Sequence, residues 1–265
     1  MSQPSFMQKR KVSSHPHLKH LGIGLLLLLF LLPSISIASN AQSSAALTGS
    51  SIMTIKSPVF AGYIALGNSS NNYLVSAAYG IFSQPTVTCN SLASGSQGVA
   101  FSVILVNGSG PVAFAGTAAM CFKGASSPIY FAVLGNTFPQ MTVHPGDVFA
   151  TSVRISAGYE ILSLTDLSTG ESSQAQVIIG NPGPVGAGFV VLHTAPARLA
   201  QFTPISFTSY ATINGTTKGV GGFSSSEAMV LKGILTNDKV TRVVAVPSSL
   251  SQGGTDFTVT WIRAN

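Results

Sequence analysis

Carboxylates are scarce in this chain. Its 265 residues hold seven Asp and Glu against thirteen Lys and Arg, and charged residues make up only 8%. So few acids leave little material for the paired-carboxylate chemistry of glycosidases or for the clustered oxygens that hold Ca²⁺. Cysteine is almost absent. Cys89 and Cys121 are enough for one bridge and too few for a Cys-rich zinc site. Beyond the first twenty residues the only histidines are His144 and His193. Two histidines so far apart make a poor metal site, and no Gly-rich phosphate loop joins a strand to a helix. No metal and no cofactor are expected.

The basic excess is local. Lys9, Arg10, Lys11 and Lys19 precede residue 21, which leaves nine basic against seven acidic residues in the rest. No basic stripe remains to follow a phosphate backbone, and nucleic acid is excluded as a partner.

What is present begins with a leader. Met1–His20 is polar and basic, Leu21–Leu32 is nearly continuous Leu, Ile, Phe and Gly, and Pro33 ends the run. Small residues follow at Ser36-Ile37-Ala38 and Ser39-Asn40-Ala41. These are the parts of a secretory signal peptide, and an uncleaved membrane anchor is the alternative. Residues 1–41 are therefore read as signal or anchor, 42–57 as a flexible lead-in, and 58–265 as one exported domain, secreted or at the cell surface. Membrane contact would come only through the uncleaved leader. In an oxidising compartment Cys89 and Cys121 are expected to pair, with two buried thiols as the alternative.

The body reads as strands and turns. Phe101–Val106 and Pro111–Thr117 flank Asn107-Gly108-Ser109-Gly110, and Ile161–Leu167 and Ser172–Ile178 flank Ser168–Glu171. Both are hairpin patterns. Phe257, Val259 and Trp261 alternate with polar residues, so the last strand buries one face. Phe101–Val106 and Phe189–Leu192 are apolar on both faces, as in strands held between two packed layers or under a covered concave face. An all-β sandwich or barrel is expected. No Ser-His or Cys-His pair stands out. Asp147, in Pro145-Gly146-Asp147, reads as a turn cap.

The order of these segments resembles the glutamic peptidases, the eqolisin family. The similarity runs from about Phe60 to Ile262. Phe60-Ala61-Gly62-Tyr63 resembles the family's Trp-(Ser/Ala)-Gly-Tyr, and His144-Pro145-Gly146-Asp147-Val148 its Pro-Gly-Asp stretch. Leu164–Gly170 resembles its Asp-x-Thr-Thr-Gly hairpin. The resemblance implies a concanavalin-like β-sandwich of two antiparallel sheets. It also implies catalysis by a Glu, the general base for water, and a Gln, the oxyanion donor. The Gln belongs to Gln-x-Gly-Thr, which here is Phe114-Ala115-Gly116-Thr117. The Glu belongs to Ala-Glu-Trp-Ile-Val-Glu, which here is Ala187-Gly188-Phe189-Val190-Val191-Leu192. Phe114 and Gly188 thus stand at the catalytic positions, Leu192 replaces a second Glu, and Asn107 replaces a nearby Asp.

The resemblance without the residues implies a non-catalytic scaffold. Its groove would comprise Val103, Asn107, Phe114, Tyr130, Gly188 and Leu192 and would take extended or apolar peptides. One alternative is an acid-acting endopeptidase that uses another carboxylate, such as Glu160. A second is a carbohydrate-binding or structural envelope protein. With so few ion pairs to lose on protonation, the domain is expected to tolerate acid.

Overall fold

The computed structural model describes residues 52–67, 74–107, 110–179, 184–194, 197–236 and 242–263. The leader lies outside them. Among them no helix is long and apolar enough to cross a membrane.

The described chain is built of strands. In order they are β1 (Ile52–Ser57), β2 (Phe60–Gly67), β3 (Val75–Ser83), β4 (Val87–Thr88), β5 (Gln97–Asn107) and β6 (Gly110–Cys121). Then come β7 (Ile129–Leu134), β8 (Val148–Ser156), β9 (Tyr159–Asp166), β10 (Ser172–Ile178), β11 (Gly186–His193) and β12 (Arg198–Leu199). The last six are β13 (Gln201–Phe202), β14 (Ile205–Ile213), β15 (Thr216–Gly219), β16 (Ala228–Thr236), β17 (Val243–Pro247) and β18 (Asp256–Trp261).

They form two layers. One runs β1-β16-β2-β11-β5-β6-β7 and the other β10-β9-β8-β3-β14-β18-β17, and β16 pairs with β17 where the layers meet. That pairing shifts register between Leu235 and Thr236, as expected where a sheet turns a corner. Neighbours are antiparallel except β1 on β16 and the short β12 on β5.

The main core fills the space between the layers. Phe101, Val103, Leu105, Phe189 and Tyr63 from the first layer meet Phe82, Phe149, Leu162, Leu164, Phe207 and Phe257 from the second. Aromatic rings fill much of this core: Tyr63 of the first layer meets Phe257 of the second edge-on at 4.8 Å, and within the second layer Phe207 stacks on Phe257 at 5.3 Å. The Tyr63 hydroxyl, pushed up to about 12 by burial, donates to the Ser248 carbonyl at 2.7 Å.

Both expected hairpins form, β5 with β6 and β9 with β10. Cys89 and Cys121 form a disulfide that ties the segment after β4 to the end of β6. Asp147 accepts from the His144 backbone N–H at 2.7 Å and closes its turn. The structure differs from the sequence reading at one boundary. Ile52–Ser57, taken as the end of a lead-in, is an edge strand of the sandwich. Met53 and Ile55 alternate with exposed residues and pack on the sheet's apolar outer face, which gives this segment a reason to order.

Candidate functional site

The first layer is apolar on both sides. Its outer face carries a second cluster: Phe60, Ile64, Ala100, Ile104, Val106, Ala118, Val133, Val190, Leu192 and Leu231. Phe114, Phe131 and Phe138 pack against it, and Phe131 meets Phe138 edge-on at 5.7 Å.

Strand register sets the geometry of this face. Gly188 on β11 lies opposite Ile104 on β5, and Ile104 lies opposite Phe114 on β6. On its other side Gly188 lies opposite Ile64 on β2, Ile64 opposite Leu231 on β16, and Leu231 opposite Met53 on β1. Phe114 and Gly188 therefore share one row across the sheet, with Ile104 between them. Ile104 and Ile64 also close over Gly188. A Cβ there would stand 2.8 Å from Ile104 Cγ1 and 3.0 Å from Ile64 Cγ1.

Beside this row is a cavity of about 200 Å³ lined by Ile55, Val59, Phe60, Ile64, Leu66, Ile104, Val106, Leu192 and Leu231, with Ser57, Lys56 and Asn107 among its other neighbours. That volume suits one or two apolar side chains, and the lining offers few polar groups to orient anything else.

No Asp or Glu occurs in any of the seven strands of this layer. Among the described residues the acids lie elsewhere. Asp166 accepts from the Ser168 N–H and the Thr169 hydroxyl at the β9–β10 turn. Burial pushes its carboxyl up, but those bonds outweigh it and hold it below its ordinary value. Glu227 pairs with Lys218 at 2.8 Å; this pairing and the Ser224 donors lower it to about 2. Glu160 sits on β9 in the other layer, on the side of Leu162 and Leu164, and is buried. Burial raises its carboxyl above the ordinary value, and Oε1 has no hydrogen-bond partner.

On this face the strands carry few hydroxyls. Ser102 Oγ is buried without a hydrogen-bond partner, so no base touches it. His193 Nε2 lies 2.6 Å from the Ala197 carbonyl and its Nδ1 3.3 Å from the Pro58 carbonyl, so both ring nitrogens face backbone oxygens. Among the described residues no cluster of three His, Cys, Asp or Glu is placed to hold a metal.

Four of the six residues read from sequence as groove do meet at this face: Phe114, Gly188 and Leu192 on it, and Asn107 at its rim. Two do not. Val103 is buried in the core between the layers, and Tyr130 packs against that core, its hydroxyl accepting from the Val87 N–H at 2.7 Å. Successive strand residues point to opposite faces, so Ile104 and Phe131 occupy the groove side instead. Ile64, Ile104 and Leu231 were missed because they stand in runs that are apolar at every position.

No protein-family model matches the chain, and no curated protein matches it significantly. Solved structures do match. A crystal structure of scytalido-glutamic peptidase with a transition state analog inhibitor superimposes with a TM-score of 0.58 at 14% identity, over 77% of this chain and 98% of that one. SCP-B, a member of the eqolisin family of peptidases in complex with the tripeptide Ala-Ile-His, gives 0.55 at 15% identity over the same shares. The fold of this chain is that of the glutamic peptidases.

Proposed function

We propose that this chain is an exported sandwich of the glutamic-peptidase fold that has no peptidase chemistry and binds apolar, extended peptide segments in its outer groove. The observation that carries the reading is the row Phe114–Ile104–Gly188–Ile64. General-base catalysis needs a group that accepts a proton, and oxyanion stabilisation needs a donor. This row has neither, and the sheet that holds it has no carboxylate. The cavity beside it is apolar and uncharged except for Lys56. It favours neutral apolar side chains over charged ones. SCP-B, which shares the fold, was crystallised with a tripeptide, which favours a peptide as occupant. The disulfide fits an oxidising compartment and supports export.

Two measurements test this. Purified protein incubated with a denatured protein substrate from about pH 2 to 5, where carboxylate bases titrate, should yield no cleavage. Cleavage that Glu160→Gln abolishes would overturn the reading. Titration with fluorescein-labelled Leu- and Phe-containing peptides should show binding that Leu66→Lys weakens, while Ser/Gly peptides stay free. Failure of every apolar peptide to bind removes the groove from the proposal.

A further inference from the structure

The opposite face of the molecule has a different chemistry. The outer side of the second layer carries an open trough of about 320 Å³ lined by Tyr79, Ile81, Ser152, Ser163, Thr165, Thr208 and Tyr210, with no charged residue in its lining. Register explains how it forms. Tyr210 on β14 lies opposite Tyr79 on β3, Tyr79 opposite Ser152 on β8, Ser152 opposite Ser163 on β9, and Ser163 opposite Gln174 on β10. One row thus crosses five strands, two adjacent tyrosines at one end and hydroxyl and amide side chains at the other. At about 4.8 Å per strand it spans roughly 19 Å.

Tyr79 is 39% exposed and Tyr210 41%, high for side chains in mid-sheet. A neighbouring row places Thr208, Ile81, Ala150 and Thr165 in line. Thr208 donates to Asp256 at the trough's end, which leaves that carboxylate partnered. The four strands that line the trough, β14, β3, β8 and β9, have neighbours on both sides, so the only free backbone edge near the row is that of β10, at its Gln174 end and away from the two tyrosines. Serine is depleted in protein–protein interface cores, whereas here it sits in the middle of the row.

From this arrangement we infer a second binding site, for a neutral oligosaccharide. A sugar ring has an apolar C–H face that stacks on an aromatic ring and a rim of hydroxyls that both donate and accept. Ser, Thr and Gln side chains match that rim because each also donates and accepts. Tyr supplies an apolar body with a polar tip. The absence of charge in the trough fits a neutral chain and disfavours acidic polysaccharides. The length of the row calls for several sugar units rather than one. The site does not depend on the peptide groove, which lies on the far side of the sandwich.

The test is affinity electrophoresis of the full chain through gels containing soluble β-glucan, xylan, mannan or heparin. A neutral polysaccharide should retard the protein. Tyr79→Ala and Tyr210→Ala should each weaken retardation by about two- to tenfold, the equivalent of losing one stacked ring. Tyr79→Phe should keep most of it, and Leu66→Lys, in the peptide groove, should leave it unchanged. Ser163→Arg, at a half-buried strand position, should block the trough without touching either ring. Failure of all neutral polysaccharides to retard the protein would overturn the inference. So would retardation by heparin alone, or retardation that survives Ser163→Arg or both alanine variants.

Discussion

The most direct probe of the Phe114–Ile104–Gly188–Ile64 row is Gly188→Ala. The new Cβ would stand 2.8 Å and 3.1 Å from Ile104 Cγ1 and Cδ1 and 3.0 Å from Ile64 Cγ1. Ile104 is 1% exposed and Ile64 5%, so neither side chain can turn out into solvent, and any shift has to be taken up within the sheet face and the cavity that both line. Overpacking of this kind costs about 1–3 kcal/mol, and the gain from replacing a mid-strand glycine returns about 0.5–1. The expected net loss is about 0–2.5 kcal/mol, read as a lower urea midpoint at constant slope. Gly188→Glu should be worse, beyond about 4 kcal/mol, because it adds a buried carboxylate with no partner. The contact is specific, so its relief should be too. Ile104→Ala alone should cost about 2–5 kcal/mol. Combined with Gly188→Ala, the total should fall short of the sum by about 0.5–3 kcal/mol. Strict additivity with Ile104→Ala would refute the claim that Ile104 closes over Gly188.

Other perturbations have equally definite outcomes. The Cys89–Cys121 bridge spans a separation of 32 residues, and the chain-entropy relation gives about 3–4 kcal/mol for such a loop; a Cys89→Ala/Cys121→Ala double variant that melts like the parent would contradict this. Glu160 is held above its ordinary value of 4.5, so folding stability should fall as pH rises through 4.5 toward the folded-state value. Glu160→Gln should melt with the parent's pH dependence flattened over that window, and parallel curves would count against it. Asp166 is held below 3.8, so its contribution is present above that pH and lost as pH falls through the lower folded value. Asp166→Ala should cost about 1–3 kcal/mol at neutral pH, by leaving the Ser168 and Thr169 donors without their acceptor, and the deficit should shrink in strong acid. Glu227, at about 2, and Asp256, also lowered, behave in the same sense, so the domain should keep most of its stability down to about pH 3.

Much of the fold was legible because local chemistry dictated it. The strands expected to pair, β5 with β6 and β9 with β10, are antiparallel neighbours, and Asp147 caps the turn it was assigned. The alternation of Phe257, Val259 and Trp261 fixes the buried face of β18, since Asp256, Thr258 and Thr260 oppose it. The groove was less legible. β5 is buried at every position, so its hydropathy has no phase and cannot say whether Val103 or Ile104 faces outward. β7 has the same ambiguity at Tyr130 and Phe131. The edge strand β1 was hidden by its small and polar neighbours.

The amino-acid sequence by itself determined that the body is built of strands and that acids are scarce in it, and the order of its motifs carries the resemblance in which Phe114 and Gly188 fall at the Gln and Glu positions. These follow from composition and motif order, which need no third dimension. Only the tertiary structure decided which residues share a face. Cross-strand register placed Phe114 and Gly188 in one row with Ile104 between them, put Glu160 in the opposite layer, and set Tyr79 beside Tyr210. Pairing between strands distant in sequence is fixed by the packing of both layers at once, and no local pattern carries that information.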